Sequence, residues 1–264
     1  MENNNAKQQK DVKLWLLVLL SSAVLIGIGL IVAALGGNSI GDMFGFSADD
    51  PSYETTFIVS IVAAVIFIVG GVTGIYLYNK KHPAETKSTW NMKTLMVGAL
   101  CLGLSFVLSY ISIWKMPMGG SITPASMLPI MLFAYIYGMP KGLIVGLAYG
   151  LLQMIQDPWL VNFWQVMLDY ILAFGALSLA GLFRKNMVPG IIAGGLGRFL
   201  FAFLAGIIFW GEYAPAGTPV WLYSLGYQAT YILPEMAICI VIVLIPAIRK
   251  TIEALKTQAL STRR

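Results

Sequence analysis

Three ionisable side chains, Asp169, Arg198 and Glu235, stand inside long apolar runs of the sequence. Removing a charge from water is costly, so each must face either a partner or a wet cavity. One reading pairs Arg198 with Asp169 or Glu235 as a structural ion pair. The other makes an acid the mark of a ligand site. Glu235 directly follows Pro234, whose missing N–H opens the helix backbone and exposes carbonyls. Aromatic residues collect towards the same side: Trp114, Trp159, Trp164, Trp210, Tyr213, Trp221, Tyr223 and Tyr227. Several of them belong to the aromatic belt of a membrane interface. Trp210 and Tyr223, however, flank the short loop 211–219, which holds two helix ends together. Indole and phenol faces beside carboxylates suit a flat, cationic, heteroaromatic ligand, stacked on one side and charge-paired on the other.

The segment 116–129 carries Gly119, Gly120, three prolines and small hydroxyl residues, among them Ser121. Read as a plain turn it needs no function. Read as a loop over a pocket, its glycines allow close approach of backbone to ligand. Other chemistry is missing from the sequence. There is no Gly-x-x-x-x-Gly-Lys-Ser/Thr phosphate loop and no metal-ligand spacing. His82, the only histidine, sits among lysines in a polar stretch. Cys101 and Cys239 lie in apolar runs and read as small core residues instead of a disulfide. No cofactor is expected. Asp169 and Glu235 lack catalytic spacing, so the chain reads as a binder or carrier and not as an enzyme.

The elements that position these residues follow from composition. Of 264 residues, 58% are hydrophobic and 11% charged, too few charges to cover a water-facing surface, so lipid must solvate much of the chain. Apolar runs occur at 13–35, 56–79, 94–114, 124–139, 141–156, 165–183, 188–210 and 220–248. They predict an all-α integral membrane protein of about eight spans, the fourth and fifth short enough to be tilted or partly embedded. With both termini cytoplasmic, Lys7, Lys10, Lys13, Lys80, Lys81, Lys87, Lys93, Lys141, Arg184, Lys185, Arg249, Lys250, Lys256, Arg263 and Arg264 fall inside and only Lys115 outside. The net charge of +5 is therefore topology, and no nucleic-acid partner is expected. The polar linker 80–93 divides a two-helix extension, 1–79, from a six-helix piece, 94–250, followed by a basic cytoplasmic tail, 251–264. In the third run Ala99 and Gly103 form a small-xxx-small pair that permits close helix contact.

Several stretches resemble the thiamine-specific substrate-binding (S) components of energy-coupling factor (ECF) transporters, the ThiT/YuaJ family. They are Gly119-Gly120-Ser121 with Met127-Leu128-Pro129-Ile130, Leu168 to Phe174, Gly206 to Trp210, and Tyr213 to Leu225 continuing through Tyr227, Tyr231 and Pro234. The likeness covers about residues 93–248. It implies a six-helix S-component bundle with a vitamin pocket near the outer face, docked on a transmembrane scaffold subunit driven by two ATPase subunits. By resemblance, Asp169 takes the place of the acidic pyrimidine-site residue with Tyr170 beside it. Trp210 and Tyr223 match the aromatic binding residues, and Ala99 and Gly103 the docking motif. Gln228, Glu235, Gly119, Gly120, Ser121 and Trp114 complete the expected site. Two positions depart from the family pattern: Ala202 stands where a histidine is usual, and Gln228 where an asparagine is usual. The expected ligand is thus thiamine or a close precursor or analogue. A solitary proton-coupled carrier using Asp169 or Glu235 is the alternative, with an intramembrane enzyme behind it.

Overall fold

The computed structural model describes residues 90–160 and 163–261. The expected helices at 13–35 and 56–79, and the linker up to residue 89, lie outside the described residues. Helix α1 (Met92–Tyr110) begins at Asn91, whose side chain accepts from Thr94 N and satisfies one of the unpaired N–H groups of the first turn. Its burial pattern is the inverse of a soluble helix. Thr94, Gly98, Ser105 and Ser109 are buried, while Leu95, Leu100, Leu104 and Val107 are exposed, Leu100 at 70%. A helix that turns its small and polar residues inward and its leucines outward is solvated by lipid.

After α1 the chain forms a short ribbon, β1 (Trp114–Lys115) with β2 (Ser121–Ile122), antiparallel with Trp114 opposite Ile122. The expected helical architecture carries this ribbon as an addition. The loop's N–H and C=O groups have no helix to join, and they pair across the loop, as in Ile113 N to Ile122 O at 2.8 Å. Helix α2 (Leu128–Tyr137) is ten residues long, too short to span a bilayer. It is apolar on every face because every face is covered: Ile130, Met131, Phe133, Ala134 and Tyr135 are 0% exposed. Gly138 at φ 98° then turns the chain into α3 (Met139–Gln156), which starts with Pro140 in its first turn.

Helix α4 (Phe163–Leu182) is irregular, with a π-helical turn at Met167–Leu172 and a 3₁₀ stretch at Ala176–Leu182. Helices α5 (Met187–Phe209) and α6 (Val220–Leu244) pack along each other, joined through a 3₁₀ turn at Gly211–Tyr213. Among the described residues α1, α4, α5 and α6 are long and apolar enough to cross a membrane. Close packing rests on glycines. Gly142, Gly146 and Gly150 recur every four residues along α3, and a methyl on Gly146 would sit 2.8 Å from the carbonyl of Phe174.

The run expected to extend to residue 248 ends at Leu244, and α7 (Pro246–Ser261) follows. Residues 251–261, expected as a basic tail, are thus helical. Ile252 is buried, and Lys256 bonds the carbonyl of Arg184 and the hydroxyl of Tyr135. Arg184 reaches the carbonyl of Ile136. These contacts gather the basic residues of α7 and the 183–186 turn at one end of the bundle. Lys115 pairs with Asp157 at 3.3 Å, and the sequence reading puts both at the opposite, outer end. In a Cys101→Ala, Cys239→Ala background, cysteine at position 115 should react with a membrane-impermeant maleimide in intact cells. Cysteine at position 185 should react only after permeabilisation. The reverse pattern would overturn the orientation.

Candidate functional site

A cavity of about 370 Å³ opens between the 111–127 loop, α3, α4, α5 and α6. Two acids line it, Asp157 at the rim beside Lys115 and Asp169 on the π-helical turn of α4. The extra residue in that turn re-aims the side chains of α4. The turn is accommodated by α3, where a methyl on Gly150 would lie 2.5 Å from the carbonyl of Tyr170. Asp169 Oδ2 accepts from Gln165 Nε2 at 2.7 Å and from Trp210 Nε1 at 3.0 Å. Both donors are neutral, so the carboxylate is oriented without being neutralised. Tyr170 also lines the cavity, but its hydroxyl is committed to the chain beside it. It donates to Asp157 O at 2.8 Å and accepts from Trp159 N at 3.0 Å, fixing the 157–160 loop.

The aromatic residues form two groups. Trp159 meets Trp210 edge to face with centroids 6.1 Å apart, and Trp210 lies 6.0 Å from Tyr213. On α6, Tyr223, Tyr227 and Tyr231 follow at four-residue spacing, each about one turn from the next, so one helix face presents them all. This face holds the 111–127 loop. Tyr223 donates to Met118 Sδ at 3.4 Å, and Tyr227 accepts from the N–H groups of Met118 and Gly120 at 3.2 and 3.4 Å. Gly120 lies so near that a methyl there would be 2.8 Å from the Tyr231 ring. Gly119 adopts φ 89°, and a methyl there would lie 3.2 Å from the Trp159 ring. The glycines of this loop are therefore required by close approach, and with Ser121 they line the cavity.

The remaining charged wall is balanced. Arg198 on α5 lies over the Phe174 ring at 4.5 Å and bonds Glu235 at 3.5 Å. The structural ion pair considered for Arg198 is present, with Glu235 as its partner. Glu235 is 1% exposed and forms no part of the cavity lining, which corrects its place among the expected ligand contacts. Its position is set by α6, which points it at the base of the 111–127 loop. Trp114 is likewise outside the cavity, 63% exposed. Successive strand residues face opposite ways, and its neighbour Lys115, also exposed, takes the face towards the cavity mouth. Ala99 and Gly103 lie on the exposed face of α1, away from the cavity.

Gln228 lines the cavity with its amide engaged at both ends, donating to the Ala202 carbonyl at 3.2 Å and accepting from the Tyr231 hydroxyl. The longer amide thus folds back on the bundle, over the buried Ala202. A further polar wall was not foreseen. Ser109 donates to Gln156 Oε1 at 2.7 Å and accepts from Gln153 Nε2 at 2.8 Å, and all three side chains line the cavity. Paired glutamines at three-residue spacing in an apolar helix carry that signal, as Gln165 does four residues before Asp169.

The family model of thiamine transporter proteins, Thia_YuaJ, matches residues 95–254. A thiamine transporter ThiT of Bacillus subtilis is 36% identical over an alignment 145 residues long that covers 48% of this chain and 75% of that protein. A thiamine transporter ThiT of Lacticaseibacillus paracasei is 27% identical over 158 residues, covering 51% of this chain and 74% of the relative. The solved structure of ThiT from Listeria monocytogenes superposes with a TM-score of 0.56 at 25% identity, over 62% of this chain and 97% of that one.

Gly150→Ala places a methyl against the backbone under Asp169, and overpacking of this kind costs about 1–3 kcal/mol. A lowered thermal midpoint in detergent is the expected outcome. Gly103→Ala, inside α1 where an added methyl meets nothing within 4 Å, should leave the midpoint unchanged or raise it.

Proposed function

Since the chain belongs to the Thia_YuaJ family of thiamine transporter proteins, we propose that it is the subunit that captures thiamine, or a close precursor or analogue, for uptake into the cell. It is a multi-pass protein of the cell membrane, and its relatives are named as transporters and not as enzymes. The observation that carries the proposal is the charge balance of the cavity. Among the described residues, Lys115 is paired with Asp157 and Arg198 with Glu235. Asp169 is the lining carboxylate whose described partners are the neutral donors Gln165 and Trp210. A cation entering this site neutralises it, and an anion meets an unbalanced negative charge.

Thiamine has the matching chemistry. Its aminopyrimidine offers N–H groups to the carboxylate of Asp169, and its thiazolium is a flat cation suited to the faces of Trp210 and Tyr223. Gly119, Gly120 and Ser121 close the cavity from the loop. Gln228 and the small Ala202 shape the wall and are the basis for admitting an analogue. In this reading residues 94–250 are the S-component domain. Ala99 and Gly103, with open space around Gly103 on the exposed face of α1, are the contact for a transmembrane scaffold subunit coupled to two ATPase subunits. That energisation is inferred from the family resemblance and from the lack of a phosphate loop in the sequence.

Purified full-length protein should show saturable quenching of tryptophan fluorescence by thiamine. Absence of quenching by thiamine, its pyrimidine and its thiazole would end the reading. Asp169→Asn should weaken binding by roughly ten- to a hundredfold, the worth of a hydrogen bond to a charged group. Uptake of labelled thiamine should require the ECF scaffold subunit in the host. Uptake in a host without it would favour a solitary carrier.

A further inference from the structure

Glu235 contributes no surface to the cavity, yet its two oxygens connect two parts of it. Oε1 accepts from Thr123 Oγ1 at 2.5 Å, Ser126 Oγ at 2.8 Å and Met127 N at 3.4 Å. Oε2 accepts from Arg198 Nη1 at 3.5 Å. The first set belongs to the turn that carries the chain from the β1–β2 ribbon into α2. The second ends on a cation that lines the cavity. The turn itself is conformationally demanding. Ala125, 2% exposed, sits at φ 68°, a region that residues with a Cβ rarely adopt. Such a conformation persists only where its surroundings hold it, and here Thr123 and Ser126 on either side of Ala125 both end on the same carboxylate.

The face of α6 explains why this anchor differs from the others. Tyr223, Tyr227, Tyr231 and Glu235 recur every four residues and all meet the 111–127 loop. The three tyrosines line the cavity, so a ligand touches the groups that hold the loop. Glu235 holds the loop from outside the cavity, and its grip does not depend on what occupies the site. It also needs to be an acid. An amide there would turn N–H groups towards either the guanidinium or the hydroxyls and would leave Arg198 without its counter-charge.

We propose that Glu235 is a positioning residue for ligand retention: it fastens the 123–127 turn, and with it the loop over the cavity, to α6, while keeping Arg198 fixed and neutralised at the cavity wall. The proposal rests on the cavity being the thiamine site. Stopped-flow tryptophan fluorescence on the full-length protein, with thiamine as the probe, tests it. Glu235→Gln, and separately the pair Thr123→Val with Ser126→Ala, should speed thiamine release about tenfold or more while changing association by less than about threefold. Binding stoichiometry should stay at the wild-type value. A merely structural role would instead lower the fraction of competent molecules and leave the release rate of the remainder unchanged. Should Glu235→Gln fail to fold, Ser126→Ala alone removes one hydroxyl and should still speed release by roughly threefold. Release rates within about twofold of wild type in fully competent variants would overturn the proposal alone. A wild-type protein without any thiamine signal would overturn both it and the functional reading.

Discussion

The structure is organised by the cost of charge in a lipid-solvated bundle. Each ionic group in or beside the cavity has to be neutralised, solvated or put to use. Lys115 and Asp157 neutralise each other at the rim, where water reaches them. Arg198 and Glu235 do so deep inside, where Glu235 also absorbs two hydroxyls and a backbone N–H. Asp169 is treated differently. Its described partners steer it without supplying a positive charge. In the proposed reading, a carboxylate held by neutral donors beside several aromatic faces favours a planar cation through its charge, before any shape is considered.

The scaffold serves that site through close backbone approach. The glycines of α3 let it lie against the irregular α4, so that the π-helical turn carrying Asp169 fits within the bundle. The stripe on α6 does the complementary work. Its tyrosines supply both aromatic surface for a ligand and hydrogen bonds to the loop above it, which makes cavity wall and loop anchor the same residues. Lipid supplies no hydrophobic drive between helices, so small residues and polar contacts take over the role that leucine packing plays in water. The exposed leucines of α1 beside its buried serines are the visible result.

Part of the candidate site is legible in the sequence. Asp169, Trp210, Tyr223 and Gly119–Ser121 stand out there, because an acid in an apolar run, paired aromatics at a loop and glycines before a helix each have a physical reason to do so, and the structure brings them to one cavity. Arg198 was legible only as an ambiguity between two acids. The glutamine wall on α3, and Gln165, were passed over because a glutamine in an apolar helix is as compatible with a lipid-facing accident as with a pocket. Trp114 stands out by residue type and Glu235 by its place in an apolar run after Pro234, and neither feature reveals direction.

By itself the sequence determined the solvent and the apolar runs, which follow from composition and periodicity and are local. It also offered candidate binding groups, by residue type and by family resemblance. Only the tertiary structure decided which acid pairs with Arg198 and which keeps neutral partners. It also set Lys115, and not Trp114, at the cavity mouth, and made a packed helix of residues 251–261. Each of these depends on side-chain direction and on partners more than a hundred residues apart in some cases, such as Thr123 and Glu235. Charge neutralisation is a relation between groups, and no single position in a sequence carries it.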